Sequence, residues 1–288
     1  MKQALDPATL PPFTDYENYS VTSQSYDTTR RPIGIEILLG CFAATGTRPL
    51  HEQVILDAGC GTGNYLQAIH RKVGTCYGID INNGMLAQAR QKFEEGAQVT
   101  LDHGSLLDLP YSDDFFDGIM CNQVIHHLDD PKSTEGFPNV KAMLSSCYRV
   151  LRPRGVLILN LCTRRQLFDG FWWADLIPQV VEHMASRIPS VELTESMLEA
   201  VGFQPGGCIV PLHEVLQGES YFDPSGPLRK SFRDGDSTWA LLSEDELQAT
   251  LERIRAMNED GSIAPYLDTR EQRRKAVGQT TFLFARKP

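Results

Sequence analysis

The sequence has no apolar run long enough to cross a membrane, and it has no excess of positive charge. Its net charge of −10 argues against a nucleic-acid partner, because proteins that bind nucleic acids present a basic face to the phosphates. Residues 1–13 also lack the charged-then-apolar order of a signal peptide. We therefore expect a cytoplasmic protein with no membrane span, whose substrate is a small molecule rather than a nucleic acid.

Cysteine pairs are absent as well: the seven cysteines are scattered, and none has the C-x-x-C spacing of metal sites and redox motifs. Most of them fall in apolar segments, which is typical of buried free thiols, so we expect neither disulfides nor a metal site. The sequence contains no internal repeat. With 288 residues, 41% hydrophobic and 22% charged, it is typical of a globular enzyme with one large domain or a domain with an insertion.

The most informative stretch is V-I-L-D-A-G-C-G-T-G-N-Y at residues 54–65. It begins with apolar residues that end in an acid, which predicts a buried strand. A glycine-rich stretch predicts a tight loop, and the helical pattern after it predicts a helix N-terminus. Gly59, Gly61 and Gly63 lack a Cβ, so a ligand can approach their backbone closely. Asp57 lies at the carboxyl end of the strand, where open α/β sheets bind ligands.

The spacing of these residues indicates which ligand binds. In the G-x-G-x-x-G of dinucleotide-binding proteins the last glycine comes one position later, and Asp57 would repel a pyrophosphate but attract an ammonium group. Both observations disfavour a nicotinamide-dependent dehydrogenase. The pattern Asp57-x-Gly59-x-Gly61-x-Gly63 resembles motif I of the class I S-adenosylmethionine (SAM) methyltransferases, and the resemblance continues through Leu161.

A second acid, Asp80, follows the glycine loop at a spacing that indicates a role in binding. The residues T-C-Y-G-I at 75–79 predict a second strand that ends in Asp80, and an acid about twenty residues past a glycine loop can accept hydrogen bonds from both ribose hydroxyls. Alone, Asp80 could instead cap the helix predicted at 82–93. With motif I at the right distance we favour the ribose role, and the resemblance implies Ile81 and Met85 on the adenine side.

The segment after the third predicted strand, at 99–101, departs from the family pattern. Where the family often has Gly-Asp-Ala, with the acid bound to the adenine amino group, this chain has G-S-L at 104–106. A serine hydroxyl can still donate or accept a hydrogen bond. We therefore expect Ser105 and Leu106 to flank the adenine, without the carboxylate contact.

The residues N-Q-V-I-H-H-L at 122–128 follow the fourth predicted strand, 118–121, and are similar to a His-His-Leu of many small-molecule methyltransferases. The resemblance implies that residues here face the transferred methyl group, so Asn122 and Gln123 are expected near the cofactor. Two adjacent histidines rarely both face a site. We assign His127 to the substrate or cofactor, as the candidate general base, and His126 to packing or hydrogen bonding.

An N-terminal segment resembles the family as well. Tyr26-Asp27-x-x-Arg30, before a helix predicted at 32–45, is similar to a segment that folds over cofactor and substrate in many small-molecule methyltransferases. Residues 1–29 are either a frayed surface tail or a lid. We favour the lid for Tyr26 and Arg30, both as cofactor contacts, with Tyr26 as a weaker candidate base.

Two regions fall outside the family pattern, and we interpret both as cap insertions in a methyltransferase domain that spans residues 30–288. The aromatic cluster in 163–190 either packs on the sheet or faces the substrate. The region 216–272 is either an exposed loop, over 221–239, or a substrate-recognition element. Within it, Ser243 and Glu246 form a capping-box pattern that predicts a helix running towards Met257.

The remaining elements follow the family's architecture. The residues R-V-L-R-P-R-G at 149–155 resemble its R-V-L-[KR]-P-G-G turn, with Arg154 in place of a glycine, and lead from a helix predicted at 140–151 into strand five, at 156–161. The residues M-L-E-A-V-G-F at 197–203 resemble its helix before strand six. We expect that strand at 208–215, with Pro211 at an edge or bulge, and the last strand at 280–285.

These features together resemble the ubiquinone/menaquinone-methylase-like, or type 11, branch of the class I SAM methyltransferases. The resemblance implies an α/β fold: a Rossmann-like seven-stranded sheet in the order 3-2-1-4-5-7-6, with the last strand antiparallel and helices on both faces. It also implies SAM as cofactor and in-line transfer of its methyl group to a small molecule. A tRNA wobble-uridine methyltransferase, which the acidity disfavours, and a non-catalytic SAM-binding protein stay open as alternatives. The sequence indicates neither the acceptor atom nor the oligomeric state.

Overall fold

A computed structural model of the chain describes Asp27 and residues 30–45, 48–130, 136–234 and 236–288. The strands are β1 (Val54–Ala58), β2 (Thr75–Asp80), β3 (Val99–His103), β4 (Phe116–Asn122), β5 (Leu151–Leu161), β6 (Gln204–Ile209) and β7 (Thr281–Arg286). They form one sheet in the order β3-β2-β1-β4-β5-β7-β6. Neighbours from β3 to β5 pair in parallel, and β7 pairs antiparallel with both β5 and β6. The predicted sheet order and the antiparallel last strand are confirmed.

The main helices are α1 (Ile35–Thr45), α2 (Asn64–Ile69), α3 (Asn83–Arg90), α4 (Pro138–Val150), α5 (Arg164–Asp169), α6 (Pro178–Ser186), α7 (Val191–Val201), α8 (Lys230–Arg233), α9 (Ser237–Ala240), α10 (Glu244–Glu259) and α11 (Ile263–Val277). One apolar cluster joins α1, α2 and α3 to the sheet, and another joins α4 and α7 to it. Helices therefore cover both faces. Every residue of β4 is buried, as expected for a central parallel strand. No helix within the described ranges is long and apolar enough to span a membrane.

A third apolar cluster belongs to a helical cap, which we define as residues 163–190 and 216–277. Trp172 and Trp173, each 1% exposed, come from the first region, while Tyr221, Phe232 and Trp239 come from the second. The aromatic side chains thus pack mainly on other cap helices rather than on the sheet. The exposed-loop interpretation does not hold for Tyr221, Phe232 and Trp239, which are buried.

Several element boundaries differ from the predictions, and three of the differences have a clear physical reason. Helix α1 begins at Ile35 rather than at residue 32, because Gly34 has a φ of 68°, which a continuing helix cannot accommodate. Strand six is Gln204–Ile209 rather than 208–215, so Pro211 lies beyond it. Among the described strands, this one pairs only with β7, and it carries a bulge between Pro205 and Gly207, which is where an edge strand tolerates proline.

Strand β5 also begins earlier than predicted, at Leu151 rather than at residue 156. Pro153 lies within the strand, where a register shift in the β4 pairing accommodates it. Arg154, which replaces the family's glycine, adopts a φ of 69°, and its N–H donates to the carbonyl of Lys287 at 2.9 Å. The left-handed conformation of this turn is therefore kept without the glycine.

Candidate active site

The loop after β1 is held in place by hydrogen bonds to the end of β2. The N–H groups of Gly59 and Cys60 both donate to the carbonyl of Ile79, at 2.9 and 3.0 Å. The N–H of Gly61 donates to Asp80 Oδ2 at 2.8 Å. The glycine loop (residues 59–63) is therefore a preformed structure whose shape depends on the neighbouring strand.

Two glycines of this loop are required for different reasons. Gly59 has a φ of 82°, and a Cβ there would lie 2.5 Å from Val124 Cγ2, so no side chain fits. Gly61 has a φ of 52°, but a Cβ there would meet nothing within 4 Å. Gly59 thus permits close packing of the protein, whereas Gly61 presents bare backbone to open space.

Asp57 is the last residue but one of β1, just before the glycine loop, and is 1% exposed. Burial raises the pKa of its carboxyl group to about 7, and the nearby Asp80 adds to this, while the hydrogen bond from Asn122 Nδ2 at 3.3 Å opposes it. Near neutral pH the carboxyl group is therefore close to half ionised. A cation bound beside it would favour the ionised form.

Asp80 links the two loops at this edge of the sheet. Its Oδ2 accepts from Gly61 and its Oδ1 accepts from the N–H of Asn82, both at 2.8 Å. Burial raises the pKa of Asp80, and these hydrogen bonds oppose the rise. Helix α3 is capped by Asn82, whose Oδ1 accepts from Met85 N at 3.0 Å, so the capping alternative for Asp80 is wrong.

The two histidines lie in a one-turn helix, Ile125–His127, that follows β4. Their ring centroids are 3.9 Å apart, and both residues line the same cleft, whereas only one was expected at the site. Burial, followed by Arg30 and Arg187, lowers the pKa of His126 to about 3. Burial, followed by His126 and Arg187, lowers the pKa of His127 well below its usual value. Both imidazoles are neutral at pH 7.

A polar network that the sequence analysis missed lies behind the histidines. Gln123 Nε2 donates to Asn160 Oδ1 at 3.0 Å and to Thr280 Oγ1 at 2.8 Å, and Asn160 Nδ2 donates to the Tyr65 hydroxyl at 3.0 Å. Gln123 has a φ of 56°, a strained conformation that is concentrated at functional sites. Asn160 could have been suspected, because it interrupts the apolar run of β5.

The described part of the N-terminal segment contacts the glycine loop. Asp27 Oδ1 accepts from the Thr62 hydroxyl at 2.6 Å, and Asp27 Oδ2 lies 2.5 Å from Lys92 Nζ. Asn64 Nδ2 donates to the carbonyl of Arg30 at 3.3 Å. Tyr26 lies outside the described residues, as does most of the segment 1–29 predicted as a lid, so those roles stay predictions.

These elements surround a cleft with about 1010 Å³ of empty space, a volume that includes its open mouth. The cap supplies one wall. Its apolar lining residues are Leu167, Phe171, Met184, Ile188 and Leu216. Asp236, in the second cap region, forms an ion pair with Arg30 at 3.4 Å and thereby joins the cap to the N-terminal segment.

Some of the predicted site residues line the cleft, and others lie outside it. Those that line the cleft are Arg30, Asp57, Gly59, Gly61, Asn122, Gln123 and His127. Gly63 is the N-cap of α2, and Asp80 supports the loop from behind. The residues predicted around adenine do not line this cleft; they are Ile81, Met85, Ser105 and Leu106. Their adenine role stays a prediction.

Comparison with known proteins gives a consistent result. A model described as a methyltransferase domain matches residues 56–159. A demethylmenaquinone methyltransferase of Symbiobacterium thermophilum is 32% identical over 137 residues, which cover 44% of this chain and 51% of the relative. The alignments with this and two other curated relatives cover 33% to 51% of the relatives' lengths, so the chain spans about half of them or less.

Two solved structures share the fold. One, from Anabaena variabilis, is provisionally named as a methyltransferase of an antibiotic biosynthesis pathway; it has a TM-score of 0.70 at 22% identity, covering 89% of this chain and 98% of that one. The other is geranyl diphosphate C-methyltransferase from Streptomyces coelicolor in complex with Mg²⁺, geranyl diphosphate and S-adenosylhomocysteine. Its TM-score is 0.50 at 15% identity, covering 88% and 78%. Residues 56–159 thus match a methyltransferase domain, and the seven-stranded sheet has the order β3-β2-β1-β4-β5-β7-β6 that the sequence resemblance implied.

Proposed function

We propose that this protein binds SAM at the glycine loop and transfers its methyl group to a small molecule held beneath the cap. The observation that carries the proposal is the cleft itself. One wall is the glycine loop with the buried carboxyl group of Asp57, and the other is an apolar cap surface. A cleft with these two walls places a polar loop suited to the cofactor beside an apolar surface suited to an acceptor.

The residues of the loop fit the proposed cofactor. Gly61 leaves space at its Cα position, so a ligand can reach its backbone. Asp57 is poised near half ionisation and would pair with the ammonium group of the methionine moiety. Asp80 would contact the ribose, in addition to the backbone hydrogen bonds that it already accepts.

When bound, SAM supplies an electrophilic methyl group that a nucleophile can displace in line. The protein then contributes mainly by positioning and by electrostatics. Neutral His126 and His127 add no charge that would oppose the approach of a cationic sulfonium. Since the pKa of His127 is well below its usual value, it is a weak proton acceptor. We therefore propose that His127 contacts the acceptor as a neutral imidazole, and that the acceptor arrives with a lone pair already available.

Calorimetric titration with SAM and S-adenosylhomocysteine (SAH) tests the cofactor site. We expect wild-type protein to bind both, and Asp80→Ala to weaken binding by on the order of a hundredfold, because two charge-assisted contacts are lost. Asp108→Ala, a change in a highly exposed acid at another position, is the matched control. Absence of binding by the folded wild-type protein would contradict the proposal.

Transfer from labelled SAM to a panel of small molecules tests the activity. Bulk tRNA in the same assay distinguishes the wobble-uridine alternative. If SAH binds while no panel member, tRNA or cell extract accepts the label, a non-catalytic SAM-binding protein is favoured instead. Label in tRNA alone would overturn the small-molecule acceptor.

A further inference from the structure

The charge of the cleft opposes that of the whole chain. The chain has a net charge of −10, yet the charged residues of the cleft, apart from Asp57 at the glycine loop, are Arg30, Arg31 and Asp236. SAM carries an ammonium, a carboxylate and a sulfonium, so the net positive charge of a bound cofactor would offset the charge of ionised Asp57. With its cofactor, the acceptor half of the cleft is therefore positively charged.

The acid in this half is already satisfied by the protein. Asp236 pairs with Arg30 at 3.4 Å, and its Oδ1 accepts from the N–H of Thr238 at 2.9 Å. Its Oδ2 also accepts from Gln217 Nε2 at 3.4 Å. Arg30 and Asp236 offset each other, so the positive charge that is left over belongs to Arg31.

Arg31 lies in a position shaped for its guanidinium group. Its backbone N–H donates to the carbonyl of Leu216 at 3.0 Å. A Cβ at Gly218 would lie 2.7 Å from Arg31 Nε, and Gly218 has a φ of 54°. A glycine is therefore what allows the guanidinium group to lie against the chain at the rim of the cleft. No carboxylate of a described residue forms an ion pair with Arg31.

The other charges around the histidines have the same sign. Arg30 and Arg187 both help to lower the pKa of His126. The nearest acid in sequence, Asp129, is buried and accepts from the N–H groups of Asn139 and Val140 at 3.0 Å, so a helix N-terminus offsets its charge. The N-terminus of α4 therefore already meets the charge of Asp129, which does not offset that of Arg31.

The space beside these charges is apolar. Leu167, Phe171, Met184 and Ile188 all line the cleft, and all four come from the first region of the cap. An acceptor that fills this space loses the hydration of its body and gains apolar contacts. A negatively charged group on the same molecule would find Arg31 in the lining of the same cleft.

We infer that the acceptor combines an apolar body with a negatively charged group, a carboxylate, sulfonate or phosphate ester, and that Arg31 binds the charge. This inference rests on the proposed function, because it takes the half of the cleft under the cap as the acceptor site. It assigns to Arg31 a role in selecting the acceptor, separate from binding the cofactor.

Two fluorescent probes that differ only by a charged group test the inference in SAH-saturated protein. Anilinonaphthalene sulfonate carries an aromatic body and an anion, and N-phenylnaphthylamine is its neutral counterpart. We expect the anion to bind about tenfold more tightly than the neutral probe. Arg31→Gln should weaken anion binding roughly three- to tenfold, since the group is exposed, and leave the neutral probe unchanged.

Three further variants keep the test discriminating. Arg31→Lys, which retains the charge, should recover part of the anion affinity. Gly218→Ala should weaken anion binding without removing any charge, because the added Cβ displaces Arg31. Arg71→Gln, which removes an exposed arginine outside the cleft, should change nothing.

The inference is overturned if both probes bind equally, if Arg31→Gln leaves anion binding unchanged, or if Arg71→Gln weakens it as much as Arg31→Gln does. SAH affinity is measured on each variant and separates the two proposals. If the wild type does not bind SAH, the proposed function fails. If SAH binds normally and the probes are not discriminated by charge, only the acceptor inference fails.

Discussion

The two walls of the cleft are built in different ways. The glycine-loop wall consists largely of backbone, held by hydrogen bonds from Gly59, Cys60 and Gly61 to residues at the end of β2. The cap wall consists of side chains from two regions of the sequence that are separated by α7 and β6. The first wall depends on a short local pattern, and the second on contacts between distant residues.

Contacts between its two regions make the cap a unit with its own core. Trp172 Nε1 donates to the carbonyl of Tyr221 at 2.9 Å, and the Tyr266 hydroxyl donates to the carbonyl of Trp172 at 2.6 Å. Buried Arg270 donates to Asp175 at 2.7 Å, which links α11 to the first region. Because this core is separate from the clusters on the sheet, the cap can lose structure while the sheet remains folded.

The largest expected effect is local unfolding of the cap wall while the glycine-loop wall stays folded. Trp173→Ala removes a side chain that is 1% exposed in the cap core, and we expect it to cost about 3–5 kcal/mol in local stability. Hydrogen exchange should then show the cap open, with the sheet protected. SAH affinity should fall only a few-fold, while methyl transfer is lost.

Two variants control this prediction. Phe222→Ala removes a cap aromatic that is 49% exposed and should change little. Trp173→Phe should recover most of the protection. Loss of SAH binding together with cap protection in Trp173→Ala would show that the walls are not independent.

A matched pair of glycine variants tests the loop wall. Gly59→Ala combines a positive φ with a contact to Val124, so we expect it to destabilise the fold by about 2–4 kcal/mol. Gly61→Ala has the positive φ alone and should cost about 1 kcal/mol. Its Cβ would occupy the cleft, so SAH affinity should fall by on the order of a hundredfold. Urea unfolding and calorimetry measure the two quantities. Equal losses of stability would contradict the distinction.

The same contrast explains what the sequence could predict. The loop from Asp57 to Gly63 was predictable because each residue's role follows from its immediate neighbours: the end of a strand, a positive φ, a helix N-terminus. Strand β6 was misplaced because Pro205 and two glycines weaken its β pattern, whereas the residues after it look more like a strand.

Long-range pairings were beyond the sequence for a physical reason. Gln123 meets Thr280 only because β4, β5 and β7 lie side by side, and 157 positions separate the two residues in the chain. The pairing of Arg30 with Asp236 likewise joins the N-terminal segment to the cap. Nothing local in either pair indicates its partner, so the cap wall and the network behind the histidines became apparent only from the fold.

The next largest effect is a pH dependence of SAH affinity, which arises from Asp57 in the glycine-loop wall. Burial raises the pKa of Asp57 to about 7 in the free protein, and a bound ammonium group favours the ionised form. SAH binding should therefore release a proton below pH 7, and affinity should fall by up to about tenfold per pH unit there. Asp57→Asn should flatten this profile and lower the affinity at pH 8. Calorimetry in buffers of different ionisation enthalpy counts the protons.

Stability of the free protein should change with pH in the opposite direction. The native state holds a proton on Asp57 that the unfolded state, with a pKa of about 3.9, has already lost. The contribution of Asp57 to stability is thus full below about pH 4 and is lost as the pH rises through about 7. Urea unfolding of wild type and Asp57→Asn over this range isolates the contribution. Parallel slopes for stability and SAH affinity would contradict the assignment.

The smallest expected effect concerns the N-terminal segment, which belongs to neither wall. Asp27 reaches the loop through the Thr62 hydroxyl and reaches Lys92 beside α2, but its side chain is 39% exposed. An ion pair this exposed contributes about 0.5–1 kcal/mol, so Asp27→Ala should weaken SAH binding two- to fivefold. If the segment closes over the cofactor, the loss should appear mainly as faster SAH dissociation.

Lys92→Met should give a similar loss, and the double variant should lose less than the sum, because the two residues share one contact. Glu94→Gln, at an acid that is 88% exposed, is the control. Unchanged SAH dissociation in Asp27→Ala would favour the surface-tail interpretation and leave the loop wall as the only element that holds the cofactor.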